Sequence, residues 1–195
     1  MIPRHLVLGV AVMLVLVVTM GFYARHMRRK AGEFETPAMA KLPVAPPPSG
    51  PTERVTLYVA DDAAGVLRAQ LAEIPLPSGR QQRGEELLRA LLRVYQQKGS
   101  AHPMPPSADI RSTYLMEPGT AVIDVNAAFA DEHRSGILSE QLTVDSFVET
   151  LAINVQGISR VRILVDGKAR DTLAGHADLS DSFDVETVGR ALGGQ

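Results

Sequence analysis

The chain contains no cysteine among its 195 residues, and this absence removes several kinds of site at once. Without a thiol the protein can form no disulfide bond, no zinc site built from thiolates and no covalent intermediate on a cysteine nucleophile. It also has no cysteine to which a lipid anchor could be attached. The absence does not identify the compartment, because reducing and oxidising locations both tolerate cysteine-free chains.

Clustered positive charge is missing from most of the chain. Six of the 20 Lys and Arg residues and two of the 22 Asp and Glu residues lie in positions 1–51, which leaves 14 basic against 20 acidic residues, a net charge of about −6, after Pro51. Nucleic-acid backbones select clustered Lys and Arg. We therefore predict that nucleic acid is not a partner, whereas a basic protein surface would suit this charge.

A long apolar run occurs over residues 6–23, which carry no charged side chain. These eighteen residues would make a helix of about 27 Å, close to the roughly 30 Å hydrocarbon core of a bilayer. A cleaved signal peptide and a buried core helix are the alternatives, but no A-x-A cleavage pattern follows Tyr23. We predict a retained transmembrane anchor over residues 1–30, with the basic cluster at residues 25–30 among the lipid headgroups.

A proline-rich segment follows the apolar run and shows no hydrophobic period. It holds six prolines between residues 31 and 52. Such a density of proline favours an extended, semi-rigid chain. We predict a linker over residues 31–52, and a spacer explains it better than a ligand for a proline-binding module.

Residues 53–184 show the pattern of one α+β domain. Apolar runs predict about six strands, mostly antiparallel, and apolar stripes on a 3.6-residue period predict two helices. The helices fall at 81–97 and 139–155, where Ser139 is a candidate N-cap, and the strands fall at 55–60, 66–74, 110–116, 120–125, 161–165 and 169–173. With both helices on one sheet face, these elements make a two-layer sandwich. Residues 185–195 are expected to form a flexible tail.

The stretch VRILVDGKARDTLAGHADLS at 161–180 raises the question of catalysis. His176, Asp178 and Ser180 could supply the base, the orienting group and the nucleophile of a hydrolase, because alternate residues of an extended segment point the same way. A serine nucleophile, however, normally sits on a sharp turn such as G-x-S-x-G, which the sequence lacks. Asp166-Gly167 is instead a common hairpin turn. We interpret the stretch as turns and predict no catalytic residue in it.

The other titratable groups give weaker signals. Three aspartates lie three residues apart but lack the glycine and distal glutamate of a calcium loop: Asp178, Asp181 and Asp184. Three histidines lack zinc-site spacing: His102, His133 and His176. Four carboxylates are better explained as solvated surface than as a glycosidase pair: Asp124, Glu140, Asp145 and Glu149. We predict no catalytic, cofactor-binding or metal-binding residue.

Three segments carry a family likeness: GTAVIDVNAAFAD at 119–131, SEQLTVDSFVETLAINVQGISRVRILVDGK at 139–168 and LAGHADLS at 173–180. The strand reaching V-N-A-A-F, the helix ending in Thr150-Leu151, the strand V-R-I-L-V-D-G-K and the G-H-A-D-L turn match in order. These segments resemble the GerMN domain of sporulation and spore germination proteins. The helix GEELLRALL at 84–92 fits more loosely, and one copy is present where some members carry two in tandem.

The resemblance implies a small domain similar to the ring-building motifs of envelope assemblies, generally exported and not known as a catalyst. The expected function is that of a membrane-anchored, non-enzymatic envelope protein that contacts an envelope protein partner or peptidoglycan, in an assembly of the sporulation or germination type. A homo-oligomer is left open, and no cofactor is expected. The alternatives are a cell-wall hydrolase that uses Glu140, Glu149 or His176, and a small-ligand sensor.

The membrane orientation follows from two conflicting signals. The basic residues after the apolar run outnumber the one before it, which places the soluble part in the cytoplasm when the charge rule is taken alone. The resemblance favours the opposite side. We predict a single-pass protein of the cell membrane whose domain is extracytoplasmic, in the periplasm or on the outer face.

Overall fold

A computed structural model describes residues 50–193, and an antiparallel hairpin opens this range. Strand β1 (Thr52–Asp61) pairs with strand β2 (Val66–Pro75) along the whole length of both. The alternation seen in the sequence is that of the structure, since Val55, Leu57 and Val59 are buried. The predicted anchor and nearly all of the predicted linker lie outside the described residues. Within 50–193, no helix is both long enough and apolar enough to cross a bilayer.

Two long helices pack against the buried face of the β1–β2 hairpin. Helix α1 (Arg80–Tyr95) turns a leucine stripe and Tyr95 into the core. A short helix, α2 (Ala127–Asp131), precedes helix α3 (Ile137–Asn154), which contacts both α1 and β1 and is buried along most of its middle. Helix α3 begins earlier than the sequence predicts. Its N-cap is Gly136 rather than Ser139, because the Glu140 carboxylate accepts the Gly136 N–H.

The larger sheet has four strands in the order β3-β4-β5-β6. They are β3 (Ile110–Met116), β4 (Thr120–Val125), β5 (Arg160–Val165) and β6 (Phe183–Asp184). Strands β4 and β5 are parallel and joined by a helical crossover, whereas the other neighbours are antiparallel. The predicted α+β class is confirmed.

The sixth strand is not the one the sequence predicts. The Asp166-Gly167 turn forms, with positive φ at both residues, and Asp124 accepts the Gly167 N–H at 2.6 Å. After this turn the chain makes two isolated bridges, Val165 to Lys168 and Thr172 to Asp178, and no strand over 169–173. The prediction there is wrong because the chain bends back on itself before it can extend the ladder, and β6 takes the place beside β5.

The C-terminal segment also differs from the expected flexible tail. Residues Val185–Gly193 form helix α4, which packs on α3 and buries Val188. Asp184 caps this helix, since its carboxylate accepts the Thr187 N–H at 3.0 Å. The cap and the buried Val188 help to hold the helix on the domain.

Candidate functional site

The Gly-His-Ala-Asp stretch forms a closed loop. The Leu173 N–H donates to the Ala177 carbonyl at 2.9 Å, and the Leu179 N–H donates to the Asp171 carbonyl at 2.8 Å. Both leucines are buried and anchor the loop in the core. Gly175 has a φ of +118°, which side chains rarely tolerate, so the tip of the loop requires glycine.

A single buried carboxylate, that of Glu140 at the start of α3, holds this loop in place. Its Oε2 accepts three backbone N–H groups, those of Ala174 at 3.0 Å, His176 at 2.8 Å and Ala177 at 2.9 Å. Its Oε1 accepts the Gly136 N–H at 3.1 Å and faces His176 Nδ1 at 2.8 Å. The side chain is fully buried, so this clamp joins two loops and a helix through one residue.

The hydrogen bonds decide the charge of Glu140. Burial opposes ionisation, but the donors from His176, Ala177, Ala174 and Gly136 outweigh it and hold the pKa of Glu140 well below its ordinary value. Both oxygens are occupied by donors, so the carboxylate has no free lone pair with which to attack a substrate or take a proton from one. The arrangement is structural.

The residues of the candidate relay do not converge. His176 Nδ1 points to Glu140 and, at 3.4 Å, to Ser135. Asp178 Oδ1 instead accepts the N–H and the hydroxyl of Ser180, at 2.8 and 2.6 Å, and these bonds lower the pKa of Asp178. Asp178 and Ser180 therefore close a local turn and leave His176 without either of them.

The three aspartates considered as a calcium loop bind their own backbone. Asp178 holds Ser180, Asp181 accepts the Ser182 N–H at 2.7 Å, and Asp184 caps α4. Across residues 50–193, no group of three or more His, Asp and Glu side chains is placed to hold a metal ion.

Two histidines that look unrelated in the sequence meet inside the domain. Their ring centroids lie 6.0 Å apart, and the hydroxyl of Thr143 lies between them, 2.7 Å from His102 Nε2 and 2.8 Å from His133 Nε2. On the far sides, His102 Nδ1 lies 2.6 Å from Asp62 Oδ1, and His133 Nδ1 lies 2.8 Å from the Arg134 carbonyl. We call this chain of groups the His–Thr–His network.

The partners of the two Nδ1 atoms decide whether those atoms carry hydrogens. A carboxylate and a carbonyl can only accept, so both Nδ1 atoms must donate. The Thr143 hydroxyl also donates to the Ser139 carbonyl, at 2.9 Å, so its oxygen has three hydrogen-bonding partners. Burial lowers the pKa of His133, which keeps that ring neutral.

The acid–histidine–hydroxyl order of the network resembles that of a catalytic relay, but its hydroxyl is closed to substrate. Thr143 is 1% exposed and His102 is 2% exposed. A nucleophile needs space beside it for the reacting carbonyl and for donors that stabilise the oxyanion. The network instead ties the β1–β2 turn, the connection before β3 and the start of α3 to one another.

Two carboxylates of α3, those of Asp145 and Glu149, lie one turn apart, and Glu149 lies against helix α4. Gln141 donates to Asp145 at 2.7 Å, whereas Glu149 Oε1 is buried without a donor among the described residues. Burial raises the pKa of both groups, and for Glu149 the neighbouring Asp145 raises it further. A Cβ placed on Gly189 of α4 would lie 3.2 Å from this oxygen, so the helix sits directly over the unpaired acid.

An open cleft of about 950 Å³ lies between the start of α1, the β3–β4 turn and the end of α3. Its two arginines are already engaged, Arg80 with the Gln156 carbonyl and Arg83 with Glu53. Among the described lining residues Glu117 is the only acid, and none is a histidine. The cleft therefore brings together no acid–base pair.

One edge of the β1–β2 hairpin is closed by side chains. Backbone N–H groups of β1 donate to Asn154 Oδ1 at 3.3 Å, to Thr150 Oγ1 at 3.0 Å and to the Tyr95 hydroxyl at 3.0 Å. The donors are Thr56, Tyr58 and Ala60. Helices α3 and α1 thus occupy the bonding positions that a third strand would need on this side.

The described residues leave the opposite edge, along β2, open. Since alternate N–H groups of β1 point to the helices, those of Val55, Leu57 and Val59 point to β2. In the observed register these residues face three residues of β2: Ala72, Gln70 and Arg68. The N–H and C=O groups of the intervening residues therefore point away from the sheet: Leu67, Ala69, Leu71 and Glu73. Leu71, in the middle, is 69% exposed.

Comparison with known protein families identifies the family of this chain. The family model described as Germane, sporulation and spore germination, matches residues 56–171, more than half of the chain. The chain belongs to the Germane family. The resemblance to the GerMN domain is thereby confirmed, and the matched range includes the V-D-G-K strand but ends before the G-H-A-D-L turn.

Solved structures share the Germane fold at low sequence identity. A protein from Clostridium perfringens, named as a candidate lipoprotein, superposes with a TM-score of 0.50 at 24% identity and covers 75% of this chain and 96% of its own. The tandem GerMN domains of the sporulation protein GerM from Bacillus subtilis give 0.52 at 20% identity, with 70% of this chain and 48% of that chain covered. Among curated proteins none matches this sequence.

Sequence reasoning treated Glu140 of this Germane domain as a surface acid and missed the His–Thr–His network. The carboxylate and its donors in the loop are 34 to 37 residues apart, and His102 and Thr143 are 41 apart. No spacing rule connects such positions. The family turn G-H-A-D-L was the one local signal, because a turn with three inward N–H groups requires an acceptor.

Proposed function

We propose that this Germane protein acts in the cell envelope as a membrane-tethered contact domain, without catalysing a reaction. It belongs to the sporulation and germination type, and it engages a protein partner by strand addition at β2. The observation that carries the proposal is the open β2 edge, on a domain whose buried Glu140, His102 and His133 serve internal hydrogen bonds. A strand edge offers backbone donors and acceptors in register, which an extended segment of another protein can complete.

The distribution of side-chain chemistry supports contact over catalysis. Glu140 is occupied by backbone donors and Thr143 is closed to solvent. His176 meets both Glu140 and the Ser135 hydroxyl through the same nitrogen, Nδ1, so its ring does not relay a proton from one to the other. Glu149 retains an unpaired oxygen, but α4 covers it. A general base must lie within hydrogen-bond reach of a bound substrate. These positions do not offer that access.

The apolar run at residues 6–23 and the proline-rich segment after it support display from a membrane, with the domain outside the cytoplasm. The naming of the Clostridium perfringens neighbour as a candidate lipoprotein agrees with a membrane-associated family member. Protease added to intact spheroplasts should degrade the domain. Protection of the domain until the membrane is lysed would place it in the cytoplasm and contradict the proposal.

The contact itself is tested by photo-crosslinking in the membranes of the host. A photoreactive amino acid is placed at Ala69 on the β2 edge and, as a matched exposed control, at Asp181. We expect protein adducts from position 69 and none from position 181. Equal labelling from both positions, or adducts only with peptidoglycan, would contradict strand addition at β2.

A further inference from the structure

We infer that the β2 edge pairs with the β2 edge of a second copy of this chain, antiparallel, about a two-fold axis at Gln70. This inference rests on the proposed function, because both require β2 to be a contact surface. It goes further by naming the occupant and the register. An antiparallel pair of identical strands is self-complementary, as a two-fold interface requires.

The outward backbone groups of β2 are symmetric about Gln70. The residues whose N–H and C=O groups point outward are Leu67, Ala69, Leu71 and Glu73. In a two-fold pairing centred on Gln70, residue 67 of one copy faces residue 73 of the other, and residue 69 faces residue 71. Every outward group then meets a complementary group of the second copy. A register centred on a neighbouring residue leaves part of the row unpaired.

The side chains suit this register. On the outer sheet face, the exposed Leu71 lies opposite Ala69 of the second copy, next to the Tyr58 of that copy, which is the cross-strand neighbour of Ala69. Apolar and aromatic cross-strand neighbours of this kind stabilise a sheet. On the other face Arg68 lies opposite Ala72. Glu73 lies opposite Leu67, so no like charges face each other across the axis.

Charge also favours β2 as the meeting surface. Two copies of a domain with a net charge of about −6 repel one another over most of their surface. The strand β2 carries one Arg and one Glu in ten residues and is neutral. Two copies that meet along this edge therefore bring no net strand charge against each other.

The β2 edge has few of the features that usually prevent strand pairing, and its charged side chains are Arg68 and Glu73 alone. Native edges are blunted by proline, by lysine, by bulges or by short length. Strand β2 is ten residues long, has its proline only at the last position and pairs with β1 without a register shift. Strand β3, at the edge of the larger sheet, does contain a bulge between Ile110 and Ser112. Of these two edge strands, β2 is therefore the one without a bulge to prevent pairing.

The absence of cysteine from the chain allows a direct test. At the two-fold axis Gln70 faces Gln70 of the second copy at a non-hydrogen-bonded position, where the Cα atoms lie about 4.5 Å apart, within the range of a disulfide. The full chain carrying Gln70→Cys is oxidised in membranes and run on a non-reducing gel. We expect most of it as a disulfide dimer. Asp181→Cys, an exposed control elsewhere on the domain, should remain a monomer.

Two proline variants separate the interface from the fold. Ala69→Pro removes an outward N–H and leaves the β1–β2 bonds intact. Added to the Gln70→Cys chain, it should abolish the disulfide dimer while the melting temperature stays close to that of the parent. Gln70→Pro, made in the parent chain, removes a bond to Leu57 and should lower the melting temperature. A disulfide dimer that persists when Ala69→Pro is combined with Gln70→Cys overturns the inference.

The failure of this inference is distinguishable from failure of the proposed function. A Gln70→Cys chain that stays monomeric after oxidation, when it is expressed at the level of a Gln70→Ser control, refutes pairing between copies. If the photoreactive residue at Ala69 still labels another envelope protein, the contact function stands and its partner is a different chain. Cross-linking through a cysteine at position 69 or 71 but not at position 70 refutes the register.

Discussion

Replacing Glu140 tests whether its carboxylate is a structural clamp or a chemical group held in reserve. Glu140→Ala leaves three loop N–H groups and the Gly136 N–H without an acceptor. A buried donor that loses its partner costs roughly 1–3 kcal/mol, although part of the loop can hydrate when it opens. Removing one member of a buried charged arrangement costs about 3–5 kcal/mol in total. We therefore expect the free energy of unfolding to fall by about 4 kcal/mol.

The graded variants make this prediction specific. Glu140→Gln keeps one oxygen for the loop donors but directs an amide N–H₂ towards Gly136, so we expect a loss of about 2 kcal/mol. His176→Ala removes one bond from a side chain that is 41% exposed and should cost about 1 kcal/mol. Urea titrations of a fragment spanning residues 50–195, followed by circular dichroism, measure all three. Stability of Glu140→Ala within about 1 kcal/mol of the parent would refute the clamp.

The pH dependence gives a second check on the same residue. Because the pKa of Glu140 is lowered in the folded state, its contribution is fully present above the unfolded value of about 4.3 and is lost as the pH falls through the folded value. The parent and Glu140→Gln should therefore differ most at neutral pH and converge in strong acid. A difference that is independent of pH would show that the charge does not carry the effect.

Three further variants probe the other buried groups. Glu149→Gln should raise the melting temperature by about 2 °C at pH 7 and leave it unchanged at pH 4. The reason is that burial and Asp145 raise the pKa of Glu149, so folding disfavours its ionised form as the pH rises. Calorimetry at both pH values tests this, and a lower melting temperature of the variant at pH 7 would show that the oxygen has a donor. Thr143→Val should cost about 2 kcal/mol in urea titrations, since both histidine Nε2 atoms lose the hydroxyl, while Thr143→Ser should retain most of the stability. Burial lowers the pKa of His133, so the parent is fully stable with respect to this group above about pH 6.5 and loses stability as the pH falls. His133→Gln should reduce the loss of stability between about pH 6.5 and 5. An unchanged dependence of stability on pH would assign the acid sensitivity to another group.

The elements defined by local patterns were predictable. Strand β1 alternates and helix α1 carries one leucine stripe, and both patterns are read correctly within a few residues. The Asp166-Gly167 turn was also predictable, because positive φ at two successive residues restricts the choice of side chain. The family likeness then supplied the order of the elements.

The errors occur where tertiary contacts decide the structure. Residues 169–173 contain the apolar residues of a short strand, but the Glu140 clamp closes the chain into a loop before a ladder can form. Helix α4 has only nine residues, too few to be stable from its own pattern, and it exists because Asp184 caps it and α3 receives Val188. Neither contact is visible in a local sequence window.

The candidate site followed the same division. That His176, Asp178 and Ser180 serve turn geometry could be argued from glycine and aspartate chemistry. That Glu140 receives the loop, and that His102 and His133 share one hydroxyl, depends on residues brought together from distant parts of the chain. The open edge of β2 became visible only through the side chains that close the edge of β1.

Those side chains also limit how large any complex built on this hairpin can grow. Asn154, Thr150 and Tyr95 use the hydrogen-bonding positions of β1, so a newcomer can join the two-stranded sheet from one direction alone. A strand that docks on β2 terminates the sheet unless it brings a vacant edge of its own. In a pair of copies joined through β2, the outer edge of each copy would be the β1 edge, whose bonding positions are already used. The product would therefore be a discrete pair rather than a fibre.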